Sequence, residues 1–318
     1  MRRRTLLGLA GTGALAAGFG VAWRDYDRTL DAAWERSAHG SSVILTRSGA
    51  MEYAEAGDGP PILMIHGTGG GFDQGLLFAQ PLVDAGWRVI SPSRFGYLGS
   101  AFPEDHSSEA QADAFIDLLD HLGIDSLPVA GGSAGALSAL AFAIRHPSRY
   151  TALVPIVPVA YVPGRPAPRP PSALAAAIIR WGLRSDALFW AGIRLAPDEM
   201  IASLLATDPA LVHRASEKEQ ARATAILRGI LPVSAKFQGL LNDASLAGDP
   251  VPMALEGISA PVLAISAEDD RFLTADAARH IAATAPDARS VIFPEGGHIW
   301  IGHDDALFTE VDRFLRDA

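Results

Sequence analysis

The stretch Leu127-Pro-Val-Ala-Gly-Gly-Ser-Ala-Gly-Ala-Leu-Ser138 decides how the rest of the chain is interpreted. A short apolar run ending at Ala130 is typical of a buried strand, and the Ala/Leu-rich segment after Gly135 indicates a helix. Between them, residues 131–135 match G-x-S-x-G, the pattern of a serine nucleophile on a tight strand-to-helix turn. Gly131 and Gly135 stand where the two backbones would come closest, so bulky side chains would not fit there. The alternative is an ordinary Gly/Ser turn.

The bulk composition narrows the function classes. The chain has 318 residues, of which 49% are hydrophobic, enough for one large or two smaller domains. A net charge of −10 argues against a nucleic-acid partner, because phosphate backbones are bound by clustered Lys and Arg. The absence of cysteine excludes disulfides, thiolate metal sites and a cysteine nucleophile.

The N-terminus predicts an export signal. Three arginines at positions 2–4 precede residues 5–23, of which none is charged, and the arginines with the following Thr-Leu-Leu resemble a twin-arginine pattern. An uncleaved segment would give membrane attachment through residues 5–23. We therefore expect an exported protein, periplasmic or extracellular, with residues 1–36 as signal or anchor and linker.

Further apolar runs predict a parallel sheet. They lie at 61–65, 88–91, 152–157, 261–266 and 290–293. Between the second and third runs, the apolar residues of 109–122 recur at the spacing of a helix. Nearly continuous apolar strands alternating with helices predict an α/β fold, a mostly parallel central sheet with helices on both faces. In such sheets the chemistry lies at the carboxyl ends of the strands.

A glycine-rich loop, His66-Gly-Thr-Gly-Gly-Gly71, follows the first of these runs. A phosphate cradle is disfavoured, because G-K-[ST] is missing and no dinucleotide-binding βαβ acid follows. The loop fits better as the source of one oxyanion-hole N–H, with the second coming from the residue after the serine. We expect the backbone N–H groups of Thr68 and Ala134 to be the donors, with Gly69 as the alternative to Thr68.

An acid and a histidine follow the last two predicted strands. Asp270 and His298 complete the order Ser, Asp, His, in which the histidine takes the proton of Ser133 and the carboxylate orients the imidazole. Asp269 competes with Asp270, and His303 lies near His298. Each of these residues could also be an ordinary loop or turn residue.

The chain from about residue 49 to 318 resembles the α/β-hydrolase superfamily, in particular its esterase and non-haem peroxidase-like serine hydrolases. The resemblance is carried by His66-Gly67, the elbow at 131–135 and Gly296-Gly297-His298. Residues 267–270 are similar to the family's G-x-x-D, with alanine first, and residues 93–98 to its S-R-P-G-Y-G turn.

Two substitutions in that turn, Phe95 for proline and Leu98 for glycine, are expected to reshape the pocket wall. The resemblance implies that His66 and Gly67 support the oxyanion loop, as Gly131 and Gly135 support the elbow. It also implies that neither a metal nor an organic cofactor is needed.

The stretch between residues 157 and 261 is too long for a loop and is helical in pattern. The resemblance implies a helical cap at 161–255 over a core formed by 42–160 and 256–318. Its aromatic residues indicate a mostly apolar pocket, and Arg180, Arg184 and Arg194 are the candidates for holding a substrate carboxylate.

These features predict a serine hydrolase that cleaves a carboxylic ester of a largely apolar small molecule through an acyl-enzyme. Hydrolysis of C–C, lactone or amide bonds and perhydrolysis could use the same triad, because the fold does not determine the reaction. A competing hypothesis, of a different functional class, is that the chain is a non-catalytic ligand-binding protein of the same fold. The sequence does not determine the oligomeric state.

Overall fold

One sheet of eight strands forms the centre of the protein. The computed structural model describes the backbone of residues 2–166, 172 and 179–318, and the side chains of this set from residue 20 onward. The strands are β1 (Ser41–Thr46), β2 (Gly49–Ala56), β3 (Pro61–Ile65), β4 (Arg88–Pro92), β5 (Leu127–Gly132), β6 (Tyr150–Ile156), β7 (Val262–Ala267) and β8 (Ala288–Phe293).

The strand order is β1-β2-β4-β3-β5-β6-β7-β8. β1 and β2 form an antiparallel hairpin, β2 is antiparallel to β4, and the strands from β4 across to β8 are parallel. The predicted α/β fold with a mostly parallel sheet is therefore confirmed.

Helices precede, connect and follow the strands. They are α1 (Arg2–Ala38), α2 (Phe72–Asp84), α3 (Ser108–Leu122), α4 (Gly135–Arg145), α5 (Asp186–Leu195), α6 (Pro197–Leu204), α7 (Pro209–Arg214), α8 (Glu217–Gly229), α9 (Phe237–Leu246), α10 (Thr274–Thr284) and α11 (Asp304–Asp317). Short 3₁₀ turns lie at Val233–Lys236, Leu255–Gly257 and Gly297–Ile299.

The core lies on both faces of the sheet, because side chains alternate along each buried strand. In β3, Ile62 and Met64 belong to the cluster under α2 and α11. Leu63 and Ile65 belong to the cluster under α3, α4 and α10. Helices on both faces thus explain why the sequence of β3 is continuously apolar.

The strand order places a crevice between β3 and β5. The chain passes from β3 outward to β4 on one side, and from β5 to β6 on the other. Ligand sites of parallel sheets form at the carboxyl ends of the strands where the order reverses in this way. The glycine-rich loop follows β3 and Ser133 follows β5, so both segments lie at this point.

The helices α5 to α9, with the turn at Val233–Lys236, lie between β6 and β7 in the chain and share one apolar cluster; we call this segment the cap. Phe189, Ile226 and Leu240 are buried in it, and Tyr97 and Ile299 of the sheet domain pack against them. We keep the division into a core (42–160 and 256–318) and a cap (161–255) as a prediction, and residues 167–171 and 173–178 of the latter lie outside the described residues.

The N-terminal prediction needs correction. In the part of the chain that the structure describes, no helix has the length and apolar character needed to cross a membrane. Residues 5–19 of the predicted tether lie outside the set whose side chains are described. The predictions of an export signal, a membrane anchor and an exported location are therefore withdrawn.

The predicted linker segment is helical and forms the last part of α1. Residues 24–36 continue α1 without interruption and lie against the rest of the protein. Ala33 is buried in the cluster that it shares with the cap helices. Asp25 forms an ion pair with Arg194 of α5, and Arg36 one with Asp73 of α2. This part of α1 is thus a docked helix, because its buried face contacts two other parts of the chain.

Candidate active site

Ser133 lies on the sharp turn that G-x-S-x-G predicts. It follows the last residue of β5, and its φ of 52° is in the left-handed region that non-glycine residues rarely adopt. The Ser133 N–H donates to the Ile156 carbonyl of β6 at 2.9 Å, so the surrounding sheet holds the strained residue in place. Strain of this kind at a single polar residue is characteristic of functional sites.

The glycines around the turn are required by close backbone contacts. A Cβ at Gly135 would lie 2.5 Å from the His66 carbonyl oxygen, and one at Gly131 would lie 2.8 Å from the Gly135 carbonyl oxygen. A Cβ at Gly67 would stand 3.1 Å from Ser133 Cβ. The space at these three positions is therefore too small for an ordinary side chain, unless the neighbouring atoms shift.

The structure brings Ser133, His298 and Asp270 together from three separate loops. Ser133 Oγ lies 2.9 Å from His298 Nε2, and His298 Nδ1 lies 2.8 Å from Asp270 Oδ2. Both distances are those of hydrogen bonds, and they form one chain from hydroxyl to imidazole to carboxylate. This arrangement lets the ring accept a proton from Ser133 while Asp270 fixes its tautomer.

Asp270 is held as a carboxylate although it is buried. Burial alone would raise its pKa, but the His298 ring and hydrogen bonds from His298, Thr274 and the Phe272 N–H outweigh burial and lower the pKa. The Phe272 ring also packs edge-on against His298, with 4.9 Å between ring centroids. The acid is therefore charged and oriented at neutral pH.

The two competing residues have other contacts. Asp269 Oδ1 accepts a hydrogen bond from the Gly297 N–H at 2.8 Å, so it holds the loop that carries the histidine. His303 stacks on Phe293, with 4.3 Å between centroids, just before α11. The geometry therefore favours Asp270 over Asp269 as the acid and His298 over His303 as the base.

His66 orients the glycine-rich loop. Its Nε2 accepts the Arg94 backbone N–H at 2.9 Å, which leaves the proton on Nδ1 to be donated to the Gly67 carbonyl at 2.7 Å. Burial first, and then the Arg94 guanidinium, lower the pKa of His66 well below its ordinary value. The ring is therefore neutral, and a single tautomer fits both hydrogen bonds.

The direction of the Thr68 N–H follows from that contact. Gly67 O accepts from His66 and from the Gly70 N–H, at 2.7 and 3.3 Å. In a planar trans peptide the N–H points opposite to the carbonyl, so the Thr68 N–H points away from the His66 ring. Ala134, the second predicted donor, follows Ser133 at the N-terminus of α4, where the helix dipole favours negative charge.

Gly69 is the weaker alternative to Thr68. Its N–H is buried and donates to the Tyr97 hydroxyl at 3.3 Å. A donor that already has a buried partner is less available to an oxyanion, so the geometry favours Thr68.

The cap holds the loop that follows His298. Arg222 of α8 donates to the Ile299 carbonyl at 2.7 Å, and Glu219 accepts the Gly302 N–H at 2.9 Å. The two cap side chains also pair with each other at 2.8 Å. Helix α8 and the loop that carries His298 thus form one polar network.

A buried ion pair beside the oxyanion loop was not predicted. The guanidinium of Arg94 binds Asp243 of α9 through two hydrogen bonds, NH1–Oδ1 at 2.7 Å and NH2–Oδ2 at 2.6 Å. Burial alone would lower the pKa of Arg94, but Asp243 outweighs it and raises the pKa. The usable signal was that Asp243 is the one charged residue of α9.

Lys236 was missed as well. It is fully buried and donates to the carbonyl oxygens of Gly69 at 3.1 Å and Gly229 at 2.7 Å. Its sequence signal was a lone lysine inside the apolar stretch Ile230-Leu-Pro-Val-Ser-Ala-Lys-Phe237.

The structure also shows where the predicted pocket-wall residues and the arginines proposed to hold a carboxylate lie. Phe95 is buried in the sheet-domain core, and the Leu98 side chain lies against the glycine-rich loop, where a Cβ at Gly71 would collide with it. Arg194 pairs with Asp25, and Arg184 covers the ring of Phe237 at 4.2 Å. Among the side chains described, no three of His, Asp and Glu are grouped so that they could hold a metal ion.

Known proteins share this fold across most of the chain. A family model described as alpha/beta hydrolase fold matches residues 60–302. The chain is 29% identical over 274 residues to a 2-hydroxy-6-oxo-6-phenylhexa-2,4-dienoate hydrolase of Comamonas testosteroni, covering 84% of this chain and 89% of that one.

Solved structures agree on the fold. An alpha/beta hydrolase fold protein from Nakamurella multipartita matches with a TM-score of 0.68 and 24% identity, over 87% of this chain and 99% of that one. The enol-lactonase from Burkholderia xenovorans LB400 matches with a TM-score of 0.64 and 19% identity, over 86% and 100%. The family model and the sheet order agree, and the chain belongs to the α/β-hydrolase fold family.

Proposed function

We propose that this protein is a serine hydrolase that cleaves a carboxylic ester, or a related acyl bond, of a largely apolar small molecule. The observation that carries the proposal is the hydrogen-bonded chain from Ser133 Oγ through His298 to the buried Asp270, with distances of 2.9 and 2.8 Å. A serine on a strained turn, beside a base that is oriented by a carboxylate, is the arrangement of an activated nucleophile.

The first half-reaction forms an acyl-enzyme. Ser133 Oγ attacks the carbonyl carbon while His298 Nε2 takes its proton, and the carbonyl oxygen becomes an oxyanion. The Thr68 and Ala134 N–H groups stabilise that charge, and each such donor contributes about 2.7–4 kcal/mol to the transition state in comparable sites. The intermediate then expels the leaving group, which takes the proton from His298.

The second half-reaction releases the acyl group. A water replaces the leaving group and gives a proton to His298 as it attacks the acyl carbon. A second tetrahedral intermediate uses the same two N–H groups, and its collapse returns the proton to Ser133. The products are a carboxylic acid and, for an ester, an alcohol.

The side chains around the site favour an uncharged substrate. Ile230 of the cap lies over Gly69, where a Cβ would be 3.2 Å from two of its side-chain carbons, and Phe272 packs on His298. The nearby guanidinium of Arg94 is already neutralised by Asp243. A substrate carboxylate would therefore find no free cation among these groups.

A second candidate is hydrolysis of a C–C bond next to a ketone. The observation that favours it is the similarity, over 84% of this chain, to an enzyme named for a 2-hydroxy-6-oxo-6-phenylhexa-2,4-dienoate. The same serine attack and oxyanion would serve, but the leaving group would be a carbon that departs with its electron pair and then takes a proton.

A fluorophosphonate probe tests the nucleophile. We expect one equivalent of label on the wild-type protein by intact mass, none on Ser133→Ala, and full labelling of Ser138→Ala, a matched change in the adjacent helix. A folded wild-type protein that takes no label would refute the proposed function and favour a non-catalytic binding protein.

A substrate pair separates the two reactions. We expect turnover of p-nitrophenyl esters to exceed turnover of 2-hydroxy-6-oxo-6-phenylhexa-2,4-dienoate, both measured by absorbance with Ser133→Ala as blank. The reverse preference would reject ester cleavage in favour of C–C hydrolysis.

A further inference from the structure

Lys236 is an unusual residue to find inside the protein. Its side chain is fully buried, and no ion pair of the described residues includes it. Its Nζ donates hydrogen bonds to two backbone carbonyls, those of Gly69 and Gly229. Burying an ammonium without a carboxylate is costly, so the contact with the glycine-rich loop is the feature to explain.

Both polar groups of Gly69 are bound by groups that lead to the cap. The carbonyl accepts from Lys236 Nζ at 3.1 Å, and the N–H donates to the Tyr97 hydroxyl at 3.3 Å. That hydroxyl in turn donates to Asp243 Oδ2 of α9 at 2.5 Å. Gly69 has a φ of 78°, so without these partners a glycine could change its conformation at little cost.

These contacts fix successive peptide planes around Thr68. His66 holds the Gly67 carbonyl, which sets the plane that contains the Thr68 N–H. Tyr97 holds the plane between Thr68 and Gly69, and Lys236 holds the one after Gly69. The Gly70 N–H of this last plane donates to the Gly67 carbonyl at 3.3 Å, so the plane that Lys236 holds is tied to the plane that carries the Thr68 N–H. The direction of the Thr68 N–H therefore depends on all three anchors.

We propose that Lys236 is a positioning residue of the oxyanion hole, through which the cap holds the Gly69 carbonyl and thereby aims the Thr68 N–H. This inference rests on the proposed function, because it assigns Lys236 to the same reaction. Lys236 does not touch the reacting atoms. Its effect is to restrict a glycine-rich loop to the one conformation that stabilises the oxyanion.

Lys236→Met tests this role, because methionine has a similar length and no donor. With a p-nitrophenyl ester, we expect kcat to fall about tenfold, within the ceiling of about 10²–10³ for loss of a whole oxyanion donor, and KM to stay within about twofold. Affinity for an alkyl boronic acid, whose tetrahedral adduct mimics the oxyanion, should weaken by the same factor as kcat/KM.

The matched control is Arg36→Met. Arg36 also donates to Gly229 O and Leu231 O of the cap but makes no contact with Gly69, so its kcat and boronate affinity should remain at wild-type values. If Lys236→Met has a lower melting temperature but keeps wild-type kcat, the lysine serves packing alone and the inference is overturned.

A second variant keeps the test decisive if Lys236→Met does not fold. Tyr97→Phe removes one oxygen atom, and with it the partner of the Gly69 N–H, so kcat should fall while KM holds. If the folded Tyr97→Phe variant keeps the kcat of the wild type, and the wild-type protein takes label at Ser133, the inference is overturned and the proposed function remains intact. A wild type that neither turns over nor takes label would overturn both.

Discussion

The buried lysine gives a stability prediction that needs no substrate. Burial, with a smaller effect of the nearby Arg36 guanidinium, lowers the pKa of Lys236 from its ordinary value of 10.5 to about 8, although Asp73 and Glu52 partly oppose this change. Replacing Lys236 by methionine removes the titrating group and leaves the other ionisable groups in place. The difference between the two proteins should therefore report this one proton.

The sign follows from proton counting. Between pH 8 and 10.5 the unfolded chain keeps a proton on Lys236 that the folded protein has released. Unfolding then takes up a proton, so the free energy of unfolding of the wild type rises with pH. The difference of about 2.5 between the two pKa values corresponds to about 3 kcal/mol, of which ~2.5 kcal/mol should appear between about pH 7 and pH 10.

Urea unfolding at pH 7, 8, 9 and 10 measures this difference. From pH 7 to pH 10, we expect the free energy of unfolding of the wild type to rise by about 2.5 kcal/mol relative to that of Lys236→Met, mostly above about pH 8. The hydrogen bonds that the methionine lacks shift the variant by an amount that varies little with pH, because a neutral amine still donates. The exposed Lys218→Met, which loses only a surface pair with Asp305, is the control and should run parallel to the wild type.

Parallel curves for the wild type and Lys236→Met would refute the reasoning. Such a result would mean that the ammonium is not destabilised in the folded protein. A gain of the opposite sign, with the wild type losing stability as pH rises, would mean that the folded protein favours the charged form.

Three further predictions concern the elbow, the acid and the cap. Asp270→Asn should lower kcat by about four orders of magnitude in ester assays, because the imidazole loses its tautomer-fixing partner. Its acid-unfolding curve should also flatten, since the carboxylate contributes stability above pH 3.8 that is lost as pH falls through its lower folded pKa. Gly135→Ala should lose at least ~1–3 kcal/mol in urea unfolding, because the new Cβ would lie 2.5 Å from the His66 carbonyl oxygen. Asp243→Asn should lose ~3–5 kcal/mol in the same assay, because the Arg94 guanidinium is left buried without its carboxylate.

Each of these has a clear contrary result. An Asp269→Asn variant with the larger loss of kcat would reassign the acid. Full stability in Gly135→Ala would show that strand and helix can separate at the elbow. Full stability in Asp243→Asn would show that water or another acceptor reaches Arg94.

Much of the site was predictable because its signals are local. The G-x-S-x-G turn, the apolar strands and the histidine after the last strand each depend on a few neighbouring residues. Strand ends then place Ser133, Asp270 and His298 at one edge of a parallel sheet, so their meeting follows from topology. The resemblance of residues 267–270 to G-x-x-D already placed the acid at Asp270. In the structure the adjacent Asp269 instead accepts the Gly297 N–H.

The N-terminal prediction was wrong for a related reason. An uncharged stretch behind three arginines matches a signal in composition alone, and composition does not report what a helix contacts. Among the residues that the structure describes, no helix is long and apolar enough to cross a membrane.

The sequence by itself determined the α/β fold, the strained turn at Ser133 and the order of the residues that meet there, because these depend on short-range periodicity and on strand ends. Only the tertiary structure decided which buried charges hold the site. Arg94 and Asp243 are 149 residues apart in the chain, and Lys236 and Gly69 are 167 apart. Partners at such separations are chosen by how the cap packs on the sheet, and no local pattern records that choice.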